Sequence, residues 1–166
     1  ERIRKGQYEA LKHEITDPER HPDVGEPKLH PRAGATVIGA RKFLIAFNVN
    51  LDTPDINVAK KIANAVRASS GGLGYVKGIG LGLESKGITQ VSMNITDYER
   101  NALYRVVELI RLEARRWGAS IIGTEVYGMI PAGALVDSIA YYLQIEGFDS
   151  RQVIELALLD RLGEEQ

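Results

Sequence analysis

The sequence contains no cysteine, which removes disulfide frameworks, thiolate nucleophiles and cysteine metal sites together. It has no excess of either charge: 21 basic residues stand against 22 acidic ones, so no global field draws it to nucleic acid or to an anionic membrane. Neither partner is expected. No apolar run approaches the ~20 residues needed to span a bilayer, and the first residues lack the apolar stretch of a signal peptide. A soluble, cytoplasmic protein is the expectation. Histidine is scarce too. His13, His21 and His30 sit at no metal-ligand spacing and beside no candidate nucleophile, so neither a metal site nor a catalytic histidine is expected among them.

What is present is enough apolar side chain for a real core, 44% of 166 residues. Four of the six prolines fall between Pro18 and Pro31, in a charged stretch that reads as a loop or linker. Before it, residues 5–15 place Tyr8, Leu11 and Ile15 on one side of a short helix, the tail of an earlier unit. The chain opens with Glu1 rather than Met, inside a charged amphipathic stretch, and an upstream portion is expected.

From Lys42 the pattern becomes regular. Phe43, Ile45, Phe47, Val49 and Leu51 alternate with Leu44, Ala46, Asn48 and Asn50, the period of a strand. Thr53 and Pro54 supply a helix N-cap and first-turn proline ahead of Ile56, Ala59, Ile62, Ala63 and Val66 on one face. Residues 76–95 read as a hairpin turning at Glu84 to Gly87. Thr96 and Glu99 fit a capping box before a helical stripe of Leu103, Val106, Val107, Ile110, Ala114 and Trp117, which ends at Gly118. A fourth strand spans Ser120 to Met129. Pro131 begins a helix to about Leu143, and Asp149 or Ser150 begins the last one.

Strand, helix, strand, strand, helix, strand is the order of an α+β, ferredoxin-like βαββαβ sandwich: a four-stranded antiparallel sheet with both helices on one face, here with appended C-terminal helices. Phenylalanine, isoleucine, leucine, valine and methionine are expected to point at the helices. The other face is expected to gather Asn48, Asn50, Gln90, Ser92, Asn94 and Glu125 beside Gly78, Gly80 and Gly82, a surface that a flat ligand could approach closely. It is also expected to lack the exposed aromatics with which four-stranded RNA-binding sheets stack bases. An antiparallel sheet with one wet face gives the same alternation, although amides and glycine are unusual there. Glu125, the one carboxylate inside a strand, needs a partner if covered; a pterin-like amino group and a neighbouring lysine both qualify.

Gly34 and Gly39 stand at phosphate-loop spacing, but Ala40 and Arg41 follow where lysine and serine or threonine should open a helix. The stretch instead suits a carboxylate or amide-rich ligand, held by backbone N–H groups and the guanidinium of Arg41 beside Lys42. Gly71, Gly72, Gly74 and Gly78 imitate a dinucleotide fingerprint, with no strand before and no helix after.

Three blocks, GATVIGARKFLIAFNVNL from Gly34, VKGIGLGLESKGITQVSMNITDYE from Val76 and GTEVYGMIPAGALVDSIAYYL from Gly123, resemble the glutamate formiminotransferase family in family order. The family includes the transferase part of formiminotransferase cyclodeaminase. RKGQYEAL resembles the approach to the first block, so the likeness covers nearly the whole chain. No part resembles the cyclodeaminase.

The resemblance implies transfer of a formimino group from N-formimino-L-glutamate to N5 of tetrahydrofolate, a step of histidine degradation and one-carbon metabolism. Tetrahydrofolate, with or without a polyglutamate tail, is then a co-substrate, and no permanently bound cofactor is expected. Residues 1–41 would be the end of an N-terminal subdomain plus linker, and 42–166 the C-terminal subdomain. The family's folate-binding stretch falls on Gly34, Ala35, Thr36, Val37, Ile38, Gly39, Ala40, Arg41, Lys42 and Phe43. Its catalytic histidine belongs to the N-terminal subdomain and has no counterpart here, so the chain alone is expected to be inactive; a homodimer is also implied. A non-catalytic ferredoxin-like module for ligand binding or assembly is the alternative.

Overall fold

The computed structural model describes residues 5–164. Glu1–Arg4, where the first expected subdomain segment begins, and Glu165–Gln166, where the second ends, lie outside the described residues. The chain divides into two compact units, 1–40 and 41–166.

In the first unit the expected helix runs over Gln7–Glu14 (α1). Ile15 is buried just past its end while Tyr8 stays exposed. The proline-rich stretch is a loop with one short 3-10 turn at Pro18–Arg20. Arg20 fastens it locally, donating to the Lys5 carbonyl at 2.9 Å and pairing with Glu14 at 3.4 Å.

The second unit is the four-stranded antiparallel sheet. Its strands are β1 (Ile45–Leu51), β2 (Val76–Leu83), β3 (Ile88–Ile95) and β4 (Ile121–Tyr127), and their spatial order is β2-β3-β1-β4. That order, with α2 (Ile56–Val66) between β1 and β2 and α3 (Leu103–Arg116) between β3 and β4, is the ferredoxin-like split βαβ arrangement. Two further helices follow, α4 (Ala132–Leu143) and α5 (Ile154–Glu164). Asp52 ties the end of β1 to the start of β4: its carboxylate accepts from the Ser120 amide at 2.6 Å and its own amide donates back at 3.1 Å.

The core forms where periods of 2 and 3.6 meet. Ile45, Phe47, Val49 and Leu51 of β1 and Val91, Met93 and Ile95 of β3 turn one face toward Ala59, Ile62 and Val66 of α2 and Val106 and Ile110 of α3. Both helix stripes are those the sequence predicts, apart from Ile56 and Trp117, which remain partly exposed. Trp117 lies beyond the end of α3 with the Lys61 ammonium 3.9 Å from its ring centre.

The helix starts differ from the sequence reading. Asp55, not Thr53, caps α2 by accepting from the Asn57 amide at 2.8 Å, because Pro54 lies outside the helix. Thr96 and Glu99 form no capping box. The Thr96 hydroxyl donates to the Tyr75 carbonyl at 3.0 Å, Glu99 pairs with Lys42, and α3 begins only after Ala102.

The larger correction concerns Gly78, Gly80 and Gly82. They pair with Met93, Val91 and Thr89, and residues directly opposite in an antiparallel pair share a face, so the glycines lie on the helix side and not on the open one. Their reason is close packing. A Cβ on Gly80 would stand 2.5 Å from the Ala59 carbonyl carbon and press on the Lys60 amide, both backbone of α2. Conversely Ile79 and Leu81, expected beneath the helices, share the open face with Ser92 and Gln90.

Gly80→Ala therefore forces α2 off the sheet and should cost about 1–3 kcal/mol by overpacking. Gly82→Ala, whose added carbon meets only Ile56 Cδ1 at 3.9 Å, should be near neutral. Urea midpoints of the two variants test this, and equal midpoints would refute the packing role of Gly80.

Candidate functional site

Register places the polar side chains of three strands in two adjacent rows on the face away from α2 and α3. One row is Ser92, Asn48 and Glu125, and the next is Gln90, Asn50 and Gly123. All six expected face residues are thus on one surface, with Asn94 completing it at an exposed edge beside Ala46 and Lys77. Asn48 and Gln90 expose only 8% and 5% of their surface.

Buried amides need partners, and the rows supply them. The Gln90 side-chain nitrogen donates to Asn50 Oδ1 at 2.7 Å and to Glu125 Oε2 at 3.2 Å, and Asn50 Nδ2 donates to Glu125 Oε1 at 3.1 Å. Donors therefore run from Gln90 through Asn50 to the carboxylate. The Glu125 pKa is held below the usual carboxylate value, first by the Asn50 amide and then by Lys86, Asn48 and Gln90 against the cost of desolvation. Lys86, on the turn between β2 and β3, lies 3.9 Å from Oε1 and is largely exposed, so it contributes little as an ion pair. The carboxylate is fixed, ionised and acceptor-only.

Sequence reasoning missed four residues of this face. Ile79 and Leu81 bring apolar surface to its β2 side. Gly123 leaves bare backbone on its β4 side, where an added Cβ would meet nothing within 4 Å. Tyr127, opposite Ala46 and 63% exposed, corrects the expectation of a face free of aromatics. One ring at an edge is still less than the two or three with which RNA-binding sheets stack bases.

Beyond Gly34 the candidate stretch has no regular secondary structure, and β1 starts only at Ile45. Gly34 closes a small bridge with His30, and its backbone, at φ 69°, lies in the left-handed region that glycine adopts freely. From Ala35 to Phe43 the residues are exposed, including Val37, Ile38 and Phe43, and Phe43 lies outside β1. Arg41 donates to the Lys42 carbonyl at 3.0 Å, and the Lys42 ammonium is paired with Glu99. Two of the three histidines serve the backbone: His21 Nε2 lies 2.9 Å from the Thr16 carbonyl, and His30 Nδ1 accepts from the amides of Arg32 and Ala33. Among the described residues no three acidic or histidine side chains form a group able to hold a metal ion, and no helix is long and apolar enough to cross a membrane.

The lowered Glu125 pKa has a sign. Its carboxylate adds stability that is present above the ordinary value of 4.5 and is lost as pH falls through the lower folded value. Asn50→Ala should move the Glu125 titration upward, read from its carboxyl carbon shift against pH. An unmoved midpoint would remove Asn50 as the main cause.

Residues 46–166 match the family model described as the formiminotransferase domain, and residues 1–41 match its N-terminal subdomain. The chain is 50% identical to a glutamate formimidoyltransferase of Streptococcus pyogenes serotype M1, over 95% of this chain and 53% of that protein. It is 47% identical to a glutamate formimidoyltransferase of Thermoplasma acidophilum, over 90% of this chain and 49% of that protein. A formimidoyltransferase-cyclodeaminase of Rattus norvegicus is 42% identical, over 87% of this chain and 28% of its own length. The chain spans about half the length of the first two of these curated relatives. Matched over most of its length, it belongs to the formiminotransferase domain family.

Proposed function

We propose that the protein containing these residues is a glutamate formimidoyltransferase, and that residues 42–166 supply a folate-binding surface as its C-terminal subdomain. In the reaction, N5 of tetrahydrofolate attacks the formimino carbon of N-formimino-L-glutamate. The bond from that carbon to the glutamate nitrogen breaks, and the proton lost from N5 ends on the released glutamate. The part of this chain is to bind and orient the folate. A proton carrier completes the chemistry, and the family resemblance places its histidine ahead of the stretch comparable to residues 1–41. His13, His21 and His30 have no part in it.

The observation that carries the reading is the open sheet face, where amides fix an ionised carboxylate on β4 and exposed Ile79 and Leu81 stand on β2 of the same face, in a chain half identical to a named transferase. A reduced pterin presents a polar edge and a flat ring, and the face offers acceptors and apolar side chains to match. The stretch from Gly34 to Phe43 is assigned to folate on the resemblance alone. Its exposed Ile38 and Phe43 and the guanidinium of Arg41 suit a ligand with both apolar and anionic parts. We extend the reading to a cytoplasmic homodimer acting in histidine degradation, with tetrahydrofolate as co-substrate and no permanently bound cofactor.

Two measurements test the proposal. This chain by itself, given formiminoglutamate and tetrahydrofolate, should show no turnover, whereas a protein that also carries the N-terminal subdomain should be active; robust turnover by the chain alone would refute the division of roles. In the active protein, Arg41→Glu should weaken tetrahydrofolate about tenfold by calorimetry, the loss of one charge-assisted hydrogen bond of about 1.5 kcal/mol. Unchanged affinity would take the loop out of the site, and no folate binding by the active-length protein would favour a non-catalytic module.

A further inference from the structure

Glu125 has about four lone-pair positions. Asn50 takes one on Oε1 and Gln90 one on Oε2 at hydrogen-bond distance, the Asn48 amide directly opposite also bears on the carboxylate, and the side chain is still 31% exposed. Two acceptors on one rigid carboxylate match two parallel N–H donors, the bidentate geometry in which such pairs are strongest. A compact ammonium, such as that of Lys86 at 3.9 Å, does not fill both. A cyclic guanidine edge does.

Gly123 is, among the described residues, the one strand glycine on the open face. Gly78, Gly80 and Gly82 of β2 lie on the helix side, and Gly80 in particular is explained by α2. Nothing similar explains Gly123. Its backbone is not in the left-handed region and nothing lies within 4 Å of an added Cβ, so a larger residue fits the folded chain. The register irregularity in β1 and β4 falls between the Asn50–Gly123 pair and the Leu51–Ile121 pair, and leaves Gly123 itself paired with Asn50. Glycine in a strand interior weakens the strand and often marks a bulge or a place where a ligand or another backbone comes close. Two residues along β4 from Glu125 and on the same face, it opens a notch beside the carboxylate.

We infer that Gly123 and Glu125 together determine which ligand edge this face accepts: the notch admits, and the carboxylate binds, the amino-pyrimidinone edge of a reduced pterin through its ring N–H and amino group. The inference deepens the transferase reading and rests on it for the ligand. With that edge on Glu125, the remaining ring lies along the sheet toward Ile79 and Leu81 of β2. Adjacent strands are about 4.8 Å apart, so the three steps from β4 to β2 span roughly 14 Å. Neither residue moves a proton; one sets shape and the other hydrogen-bond pattern.

The test uses the active-length transferase, with anaerobic calorimetry of tetrahydrofolate and of its analogue lacking the 2-amino group. Gly123→Leu should keep the wild-type melting temperature and weaken tetrahydrofolate at least tenfold. Glu125→Gln should weaken tetrahydrofolate at least tenfold and also lose discrimination: the wild type should prefer tetrahydrofolate over the analogue, and the variant should bind both alike. Should Gly123→Leu fail to fold, Gly123→Ser takes its place with a smaller loss of affinity. Wild-type affinity in both variants, or undiminished discrimination in Glu125→Gln, would overturn the inference while leaving the transferase reading intact. Failure of the unaltered protein to bind tetrahydrofolate would instead overturn that reading.

Discussion

What β2 and β3 bring to the open face depends on the register of their hairpin. Leu83 pairs with Ile88 across the four residues Glu84–Gly87, so each even-numbered residue of β2 stands opposite an odd-numbered one of β3. A shift of a single residue would turn one of the two strands over relative to the other. Were β3 the one turned, Gln90, Ser92 and Asn94 would lie under the helices and Val91 and Met93 in water. Because the core face must be dry, the apolar residues of β3 fix the register, and the amides follow.

The same register explains two kinds of strand glycine. On the helix side, the bare backbone at Gly80 lets α2 lie against β2 at a distance no side chain would permit. On the open side, Gly123 has empty space where a side chain would fit. The first is a packing device within the sandwich; the second has no partner in the second unit. Glycine alone therefore says little about ligands until its face and neighbours are known.

The polar face is organised from inside outward. Gln90 and Asn48 are nearly covered, and burial makes their hydrogen bonds obligatory. Gln90 spends its amide on Asn50 and Glu125, and Asn50 spends its own on Glu125. A carboxylate held this way stays ionised and keeps its orientation before any ligand arrives, which is how preorganisation lowers the cost of binding. The surrounding apolar residues, Ile79 and Leu81, remain exposed at 54% and 37%, on the same surface.

By itself the sequence determined the order of elements, the apolar stripes of α2 and α3, and the membership of Asn48, Asn50, Gln90, Ser92, Asn94 and Glu125 in one surface. Those features follow from periods of 2 and 3.6 and from turn chemistry, which are local. It also carried the parity of the hairpin turn, enough to place Gly82 opposite Thr89, but composition drew the glycines to the amide face. Tertiary structure alone decided the rest: that α2 presses its backbone on Gly80, that Glu99 is taken by Lys42 rather than by a helix cap, and that Glu125 reaches diagonally to Asn50 and Gln90. Each of these joins residues far apart in the chain, and their distances exist only once the sheet has closed around its core.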